Sequence, residues 1–313
     1  MKRLFILASA AIVALASCSK TQVVYNDVPE EISFKTYAGA MTKALDEHTT
    51  MGVFARPTAG YAVADYFTNA LFKEGTPWTG YPAQYWPLGN AALDFVFYAP
   101  HTDTNEPTWD YTAVDNNKLT IEVDNSTTQT NWLYGSKMET GSKLTPVASP
   151  NPVMKHLLAK ITINLTGTIE LKDVAFTETK QTETATISYT GSTSSVEWSD
   201  TGIEVNWNKD KVTYKNTAND SNVTFPVTLN ATAITASFYV IPSLQTTIAL
   251  NYAVGGGEAA NHAVTLSGNW VAGKHYTYNV NAEPGEITFS PSVEPWTTET
   301  TGIQFNEGTG VIL

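Results

Sequence analysis

Short segments in which apolar and polar residues alternate recur along most of this chain. An alternation with a period of two places one row of side chains on each face of a strand, so it predicts a β-strand with one buried face. The chain also has 46 threonines, close to the total of its 18 basic and 30 acidic residues, and β-branched side chains favour strands. The predicted strands are residues 31–36, 93–98, 119–123, 161–165, 223–225, 236–241, 247–252 and 276–280. Many short strands separated by turn residues indicate an all-β protein built from sandwiches.

The N-terminus has the pattern of a secretory signal. Lys2 and Arg3 precede an apolar segment, residues 4–16, that is too short to span a bilayer stably. The sequence Leu-Ala-Ser-Cys that ends at Cys18 resembles the lipobox of bacterial lipoproteins, in which the cysteine takes a diacylglycerol and becomes the first residue of the mature chain. We therefore predict a signal peptide at residues 1–17 and an outer-membrane lipoprotein precursor that is anchored through Cys18.

Cys18 is the only cysteine, so the mature chain contains no disulfide and no thiol for catalysis or for a metal site. Removal of Lys2 and Arg3 leaves 16 basic and 30 acidic residues, a formal charge of −14. So acidic a chain repels phosphates, and we predict no nucleic-acid partner.

Motifs that carry chemistry are missing from the sequence. The five histidines, at positions 48, 101, 156, 262 and 275, show no metal-ligand spacing. No nucleophile elbow, phosphate-binding glycine loop or calcium loop is present. We predict a protein that is not an enzyme and that uses no metal or cofactor. A glycosidase carboxylate pair stays open at this point, because its two residues need not be close in the chain.

An aromatic cluster is the one sequence feature that suggests ligand binding. Trp78, Tyr81, Tyr85 and Trp86 lie within nine residues, and such rings can stack on sugar faces. The alternative interpretation is packing in the core and at its corners.

A segment of prolines and small polar residues, residues 141–152, is poor material for a strand ladder and predicts a domain boundary. We predict an N-terminal domain at residues 18–150 and a C-terminal domain at residues 151–313.

A further break follows the first predicted strand, where Lys43 and Ala44 lie among small residues. Such a loop is accessible to a trypsin-like protease, so we predict cleavage between Lys43 and Ala44. The alternative is an ordinary surface lysine.

Several separated motifs resemble those of the fimbrillin-like family, the subunits of type V pili in anaerobic Gram-negative bacteria. The sequence EISFKT at residues 31–36 follows the leader, and YWP at residues 85–87 precedes LDFVFYAP at residues 93–100. The other motifs are NWLYG at 131–135, HLLAKITI at 156–163, FYVIP at 238–242 and GKHYTY at 273–278. They occur in the family's order over most of residues 18–296.

The resemblance implies two transthyretin-like Greek-key β-sandwich domains in tandem that assemble by strand exchange. A protease would remove a leader of about residues 18–43, and with it the strand whose apolar plugs are Ile32 and Phe34. A neighbouring subunit would then donate a strand from its tail, about residues 297–313. The candidate donor residues are Ile303, Phe305, Val311, Ile312 and Leu313. The alternative is a tail that packs on its own domain.

The expected function is that of a structural subunit of a cell-surface pilus, with other pilin subunits, the outer-membrane lipid and a trypsin-like protease as partners. Well-known family members are cut after arginine, whereas this site carries Lys43. An uncut chain would act as a tip or anchor subunit. The alternative function is a monomeric, lipid-anchored glycan-binding protein that uses the Trp78–Trp86 aromatics.

Overall fold

The protein is all-β over the part of the chain that the structure describes. The computed structural model describes residues 30–34, 48–58, 65–87, 91–113, 116–137, 141–142, 145–146, 153–180, 182–190, 193–199, 204–207, 212–229, 233–242, 246–253, 260–266, 270–284 and 286–295. These residues form strands, turns and loops without a helix, which confirms the predicted fold class. None of them belongs to a helix with the length and hydropathy of a membrane span.

The strands are numbered in chain order. The first eleven are β1 (Ser33–Phe34), β2 (Thr50–Pro57), β3 (Phe67–Lys73), β4 (Trp78–Gly80), β5 (Leu93–Ala99), β6 (Thr108–Ala113), β7 (Asn116–Asp124), β8 (Leu133–Lys137), β9 (Gly141–Ser142), β10 (Thr145–Pro146) and β11 (Val153–His156). The others are β12 (Ala159–Gly167), β13 (Glu170–Lys180), β14 (Thr182–Thr190), β15 (Thr193–Trp198), β16 (Glu204–Trp207), β17 (Lys215–Asn216), β18 (Val227–Thr228), β19 (Ile234–Val240), β20 (Thr246–Ala253), β21 (Ala260–Leu266), β22 (Lys274–Glu283) and β23 (Glu286–Pro295).

The first half of the chain forms a seven-stranded sheet in the order β1-β4-β3-β2-β5-β8-β11. The sheet curls over itself. Phe34 in β1 has its ring centroid 4.9 Å from that of Phe97 in β5, although three strands lie between β1 and β5 in the sheet order. The curled half encloses one apolar core, and the opposite face of β5 packs on a second core. All seven residues of β5 are therefore buried.

The second of these cores lies against a four-stranded sheet in the order β15-β14-β7-β6. Strand β14 pairs with β7 over eight residues, from Thr182 opposite Asp124 to Tyr189 opposite Asn117. The hairpin β14–β15 therefore completes the four-stranded sheet that β6 and β7 of the first half begin, although the hairpin follows the predicted boundary at residue 150. The buried row of β7 needs a neighbouring strand with matching apolar residues, and β14 provides it with Ala185 and Ile187. The domain boundary itself stays a prediction.

The second half forms a sandwich of two further sheets. One has the order β17-β19-β12-β22-β23, and the other has the order β16-β13-β20-β21 with β18 also paired to β13. Every pairing is antiparallel except that of β12 with β22. Alternate residues of β12, such as Ile161, Ile163 and Leu165, are fully buried in the core between the sheets.

One predicted strand is wrong. Residues 223–225 form a loop in which the backbone N–H of Val223 donates to the carbonyl of Tyr214. Pro226 follows directly, and a proline cannot donate to a ladder, so pairing begins only at β18.

Candidate functional site

The candidate site is the edge at which residues 30–34 close the curled sheet. In β1, Ser33 lies opposite Thr79 and Phe34 opposite Trp78. The pairing then continues past a loop. The backbone N–H of Ile32 donates to the carbonyl of Gln84 at 2.7 Å.

The last of these backbone bonds runs from the N–H of Trp86 to the carbonyl of Glu30, at 2.8 Å. The loop that interrupts the pairing, residues 81–83, separates two short ladders on the same antiparallel segment. We call residues 30–34 the leader strand.

The leader strand has the alternation that the sequence predicts. Glu31 is exposed and Ser33 is half-buried, whereas Ile32 is 0% exposed and Phe34 is 1% exposed. The structure therefore brings both predicted plug residues into the core that the curled sheet encloses.

Three phenylalanine rings form the pocket of Phe34. Its ring centroid lies 4.9 Å from Phe72, 4.9 Å from Phe97 and 5.6 Å from Phe95. Its edge-to-face geometry with the two β5 rings is the favoured aromatic arrangement. Complete burial of one such side chain contributes about 1.5–3 kcal/mol. A chain without the leader strand would uncover these three rings.

The leader strand is also an edge. Within the described ranges, β1 pairs with β4 alone and stands at the end of the sheet order. Over the described residues the leader strand pairs from Glu30 to Phe34, and the burial of Ile32 and Phe34 adds to this attachment. A segment held in this way can be replaced by another strand that carries equivalent side chains.

At the other end of the described chain, β23 is the edge of the five-stranded sheet. It pairs with β22 along its whole length, from Glu286 opposite Glu283 to Pro295 opposite Lys274. Its last six residues are all exposed, and Val293 keeps 58% of its surface in solvent. From Ser290 to Pro295, this edge is therefore held mainly by its backbone ladder.

The four aromatic residues of the alternative glycan site are divided by the fold. Trp78 and Trp86, with exposures of 2% and 8%, belong to the enclosed core beside the leader strand. Tyr81 and Tyr85 are exposed, and the ammonium of Lys73 lies 3.6 Å from the centroid of the Tyr81 ring. The two tryptophans are thus core residues, and the two tyrosines are presented to solvent.

Buried titratable groups in the described ranges serve packing and hydrogen bonding. Asp94 is fully buried and accepts bonds from the hydroxyls of Thr58 and Tyr111, each at 3.3 Å. His156 has its Nδ1 3.0 Å from the side-chain oxygen of Asn131. Burial, with smaller contributions from Lys160 and His48, lowers the pKa of His156 to about 3.

No group of three or more His, Cys, Asp and Glu residues is arranged to hold a metal ion within the residues described. The remaining predicted site residues lie outside the described residues. They are Cys18, Lys43, Ala44, Ile303, Phe305, Val311, Ile312 and Leu313.

The walls of the pocket are functional residues that the sequence did not single out. Phe95 and Phe97 lie in a predicted strand, where their spacing of two placed them on one face. Phe72 was harder to place from the sequence because the alternation of its strand is interrupted. Asn69 has a positive φ of 44°, and the pairing with β2 shifts in register beside it.

A model of the fimbrillin-like family matches residues 36–296 of this chain. No curated protein matches this chain.

Among solved structures, a fimbrial protein from Bacteroides vulgatus has 16% identity and a TM-score of 0.55, and the match covers 85% of this chain and 99% of that one. A protein from Bacteroides uniformis that is described as a candidate cell adhesion protein has 17% identity and a TM-score of 0.57, with 87% and 99% covered. A protein of the same description from Bacteroides ovatus has 15% identity and a TM-score of 0.56, with the same coverage. At these identities the likeness shows the fold.

Proposed function

This chain belongs to the fimbrillin-like family, and from that membership we propose that it is a structural subunit of a cell-surface pilus that supports adhesion. The subunit is secreted as an outer-membrane lipoprotein through Cys18 and loses its leader by cleavage between Lys43 and Ala44. It then polymerises with other pilin subunits by donor-strand exchange. Its two halves act as sandwich domains in tandem, and the hairpin β14–β15 connects them by pairing with β7.

The observation that carries the proposal is the burial of the leader strand. Ile32 and Phe34 fill pockets in the enclosed core, and in the described ranges they belong to a segment at the edge of the sheet. Cleavage at Lys43–Ala44 would separate this segment from the rest of the chain. The gap would hold unpaired backbone groups on β4 and the uncovered rings around Phe34, and an added strand would satisfy both.

The tail contains a segment that matches this gap. Ile303-Gln304-Phe305 repeats the residue types and spacing of the buried pair in Ile32-Ser33-Phe34. Because alternate residues of a strand share one face, an isoleucine and a phenylalanine two positions apart can fill the same two pockets. A tail with this pattern supports exchange between copies of this chain. The apolar end formed by Val311, Ile312 and Leu313 would extend the contact.

Limited trypsin treatment of the purified full chain tests the proposal. We expect a new N-terminus at Ala44 and a ladder of polymers in size-exclusion chromatography with light scattering. The variant Phe305→Asp should be cleaved equally and stay monomeric, because a carboxylate cannot enter an apolar pocket. The matched control Gln304→Ala should polymerise normally.

Two results would count against the proposal. One is complete cleavage at Lys43–Ala44 that leaves the intact-tail protein monomeric. The other is a Phe305→Asp variant that polymerises as well as the unmodified chain.

A further inference from the structure

The outward face of the five-stranded sheet is unusual for so acidic a chain. Ile161, Ile163 and Leu165 in β12 point into the core, so the residues between them point outward. The register across the sheet places Ser237, Thr162, Thr277 and Ser292 in one outward row, on β19, β12, β22 and β23 in turn.

The next row has the same character. It contains Thr235, Asn164, Asn279 and Ser290 on the same four strands. The hydroxyl of Thr235 donates to the Asn164 side-chain oxygen at 2.7 Å, and the Asn164 amide donates to the Asn279 side-chain oxygen at 2.8 Å. These bonds hold the side chains in fixed positions along the row.

A third row joins Thr166, Asn281 and Thr288, and the Thr166 hydroxyl lies 3.2 Å from the Asn281 side-chain oxygen. All three rows consist of serine, threonine and asparagine. We call this surface the polar face.

Charged residues border the polar face, among them Lys160 and Glu294 at one end and Glu283 and Glu286 at the other. The ammonium of Lys215 lies 2.8 Å from a carboxylate oxygen of Asp220, and Nδ1 of His275 lies 3.2 Å from a carboxylate oxygen of Glu294. Lys160 lies in register with His275. The three rows themselves thus offer hydrogen-bonding groups and contain no charged side chain.

We propose that the polar face binds a neutral polysaccharide. Hydroxyls and side-chain amides both donate and accept, which matches the hydroxyls of a sugar polymer. Asn279 and Asn281 are exposed, and their amide N–H groups remain available for a ligand beyond the bonds that their oxygens accept. The network fixes the side chains before binding, which lowers the entropy lost on association.

Charge and area favour this partner over a macromolecule. The three rows contain no cation for an acidic polymer and no carboxylate for a basic one. Neighbouring strands lie about 4.8 Å apart and alternate residues about 7 Å apart, so the three rows span about 14 Å in each direction. A stable protein interface needs about 800 Å² from each partner, well above such a patch. A few sugar rings fit it.

Native affinity electrophoresis of the full chain tests the proposal. The gels contain one of five neutral polysaccharides (hydroxyethyl cellulose, arabinoxylan, galactomannan, dextran or soluble starch), or carboxymethyl cellulose as the acidic counterpart. We expect at least one neutral polymer to retard the protein and the acidic polymer to leave it unaffected. The double variant Asn279→Ala with Asn281→Ala should bind about tenfold more weakly, because two hydrogen-bonding groups are lost.

The matched control is Thr190→Ala with Ser195→Ala, two exposed positions on the hairpin β14–β15, and it should be retarded like the unmodified chain. Retardation by none of the five neutral polymers would overturn the proposal, as would retardation that the Asn279 and Asn281 changes leave intact. Binding that appears only after residues 297–313 are removed would mean that the tail of this chain occupies the face. A dimer in solution that the same changes abolish would assign the face to a second copy, and each of these results also overturns the proposal.

Discussion

The leader strand and β23 are both edge strands in the described ranges, but their described side chains differ in burial. The leader strand pairs over all its described residues, from Glu30 to Phe34, and buries Ile32 and Phe34 almost completely. Strand β23 pairs with β22 over ten positions, yet its residues from Ser290 to Pro295 are all exposed. The leader edge thus adds side-chain burial to its backbone pairing, whereas residues 290–295 of β23 depend mainly on backbone pairing.

This difference determines what each edge can do. A strand attached by side chains leaves apolar pockets when it departs, so another strand with the right pattern can take its place. A strand attached by its ladder leaves only an open edge. Strand β23 also carries Pro291 and Pro295, which limit further pairing because a proline has no N–H to offer an incoming strand. We therefore expect exchange at the leader edge and permanence at the β23 edge.

The largest expected effect is that of Phe34→Ala, which removes a ring from the enclosed core. Loss of a fully buried phenylalanine costs about 3–5 kcal/mol. Urea denaturation should show this loss in the free energy of unfolding. Ser33→Ala, one residue away and half-buried, should change it by less than about 0.5 kcal/mol. A Phe34→Ala protein as stable as Ser33→Ala would remove the basis of the comparison.

The second prediction concerns the opposite edge of the same sheet, which is β11. This strand contains His156. The pKa of His156 is lowered from 6.5 to about 3 by burial, so the unfolded chain binds a proton at a higher pH than the folded chain. This contribution to stability is complete above about pH 6.5 and is lost as the pH falls towards 3.

Urea denaturation at several pH values between 7 and 4 measures this loss. The His156→Gln variant should lose less stability on acidification than the unmodified chain, since glutamine does not titrate. Equal pH dependence in the two proteins would show that His156 takes no part in acid destabilisation.

A smaller effect concerns Pro291 in β23. Because β23 keeps its ladder with β22, the missing N–H of a proline is tolerated on the side that faces outward. Pro291→Thr restores a donor there, and we expect slow concentration-dependent association in dynamic light scattering. The change Ser290→Thr, at the neighbouring position, serves as the control and should leave the protein monodisperse. A Pro291→Thr protein that stays monodisperse would show that the proline does not protect this edge.

The smallest effect is that of Val293→Ala. Val293 keeps 58% of its surface exposed, so truncation removes little buried area and should change the free energy of unfolding by less than about 0.5 kcal/mol. A loss as large as that of Phe34→Ala would mean that β23 is also held by side-chain burial.

The sequence predicted the structure well where a strand's apolar and polar residues alternate within the strand itself. It predicted the all-β class, the burial of Ile32 and Phe34, and most central strands. It predicted at least one buried face for residues 93–98, but it could not show that both faces are covered, because this depends on the curl of the sheet.

Other features depend on contacts between distant segments. Nothing local to residues 182–190 shows that this strand pairs with β7, because its alternation would suit either sandwich. Trp78 and Trp86 gave the same signal as Tyr81 and Tyr85, and only the fold separates the buried pair from the exposed pair. The polar face arises from the register of four strands, which no single strand specifies.

The central claim is that the gap left by removal of the leader strand accepts any strand with an isoleucine and a phenylalanine two positions apart. Its most direct measurement uses a protein of residues 44–296, without leader or tail, titrated with a peptide of residues 300–308 while the melting temperature is recorded. We predict saturable stabilisation by this peptide and by a peptide of residues 30–36, competition between the two, and no stabilisation by the Phe305→Ala peptide. Equal stabilisation by the Phe305→Ala peptide, or none by either unmodified peptide, would contradict the account.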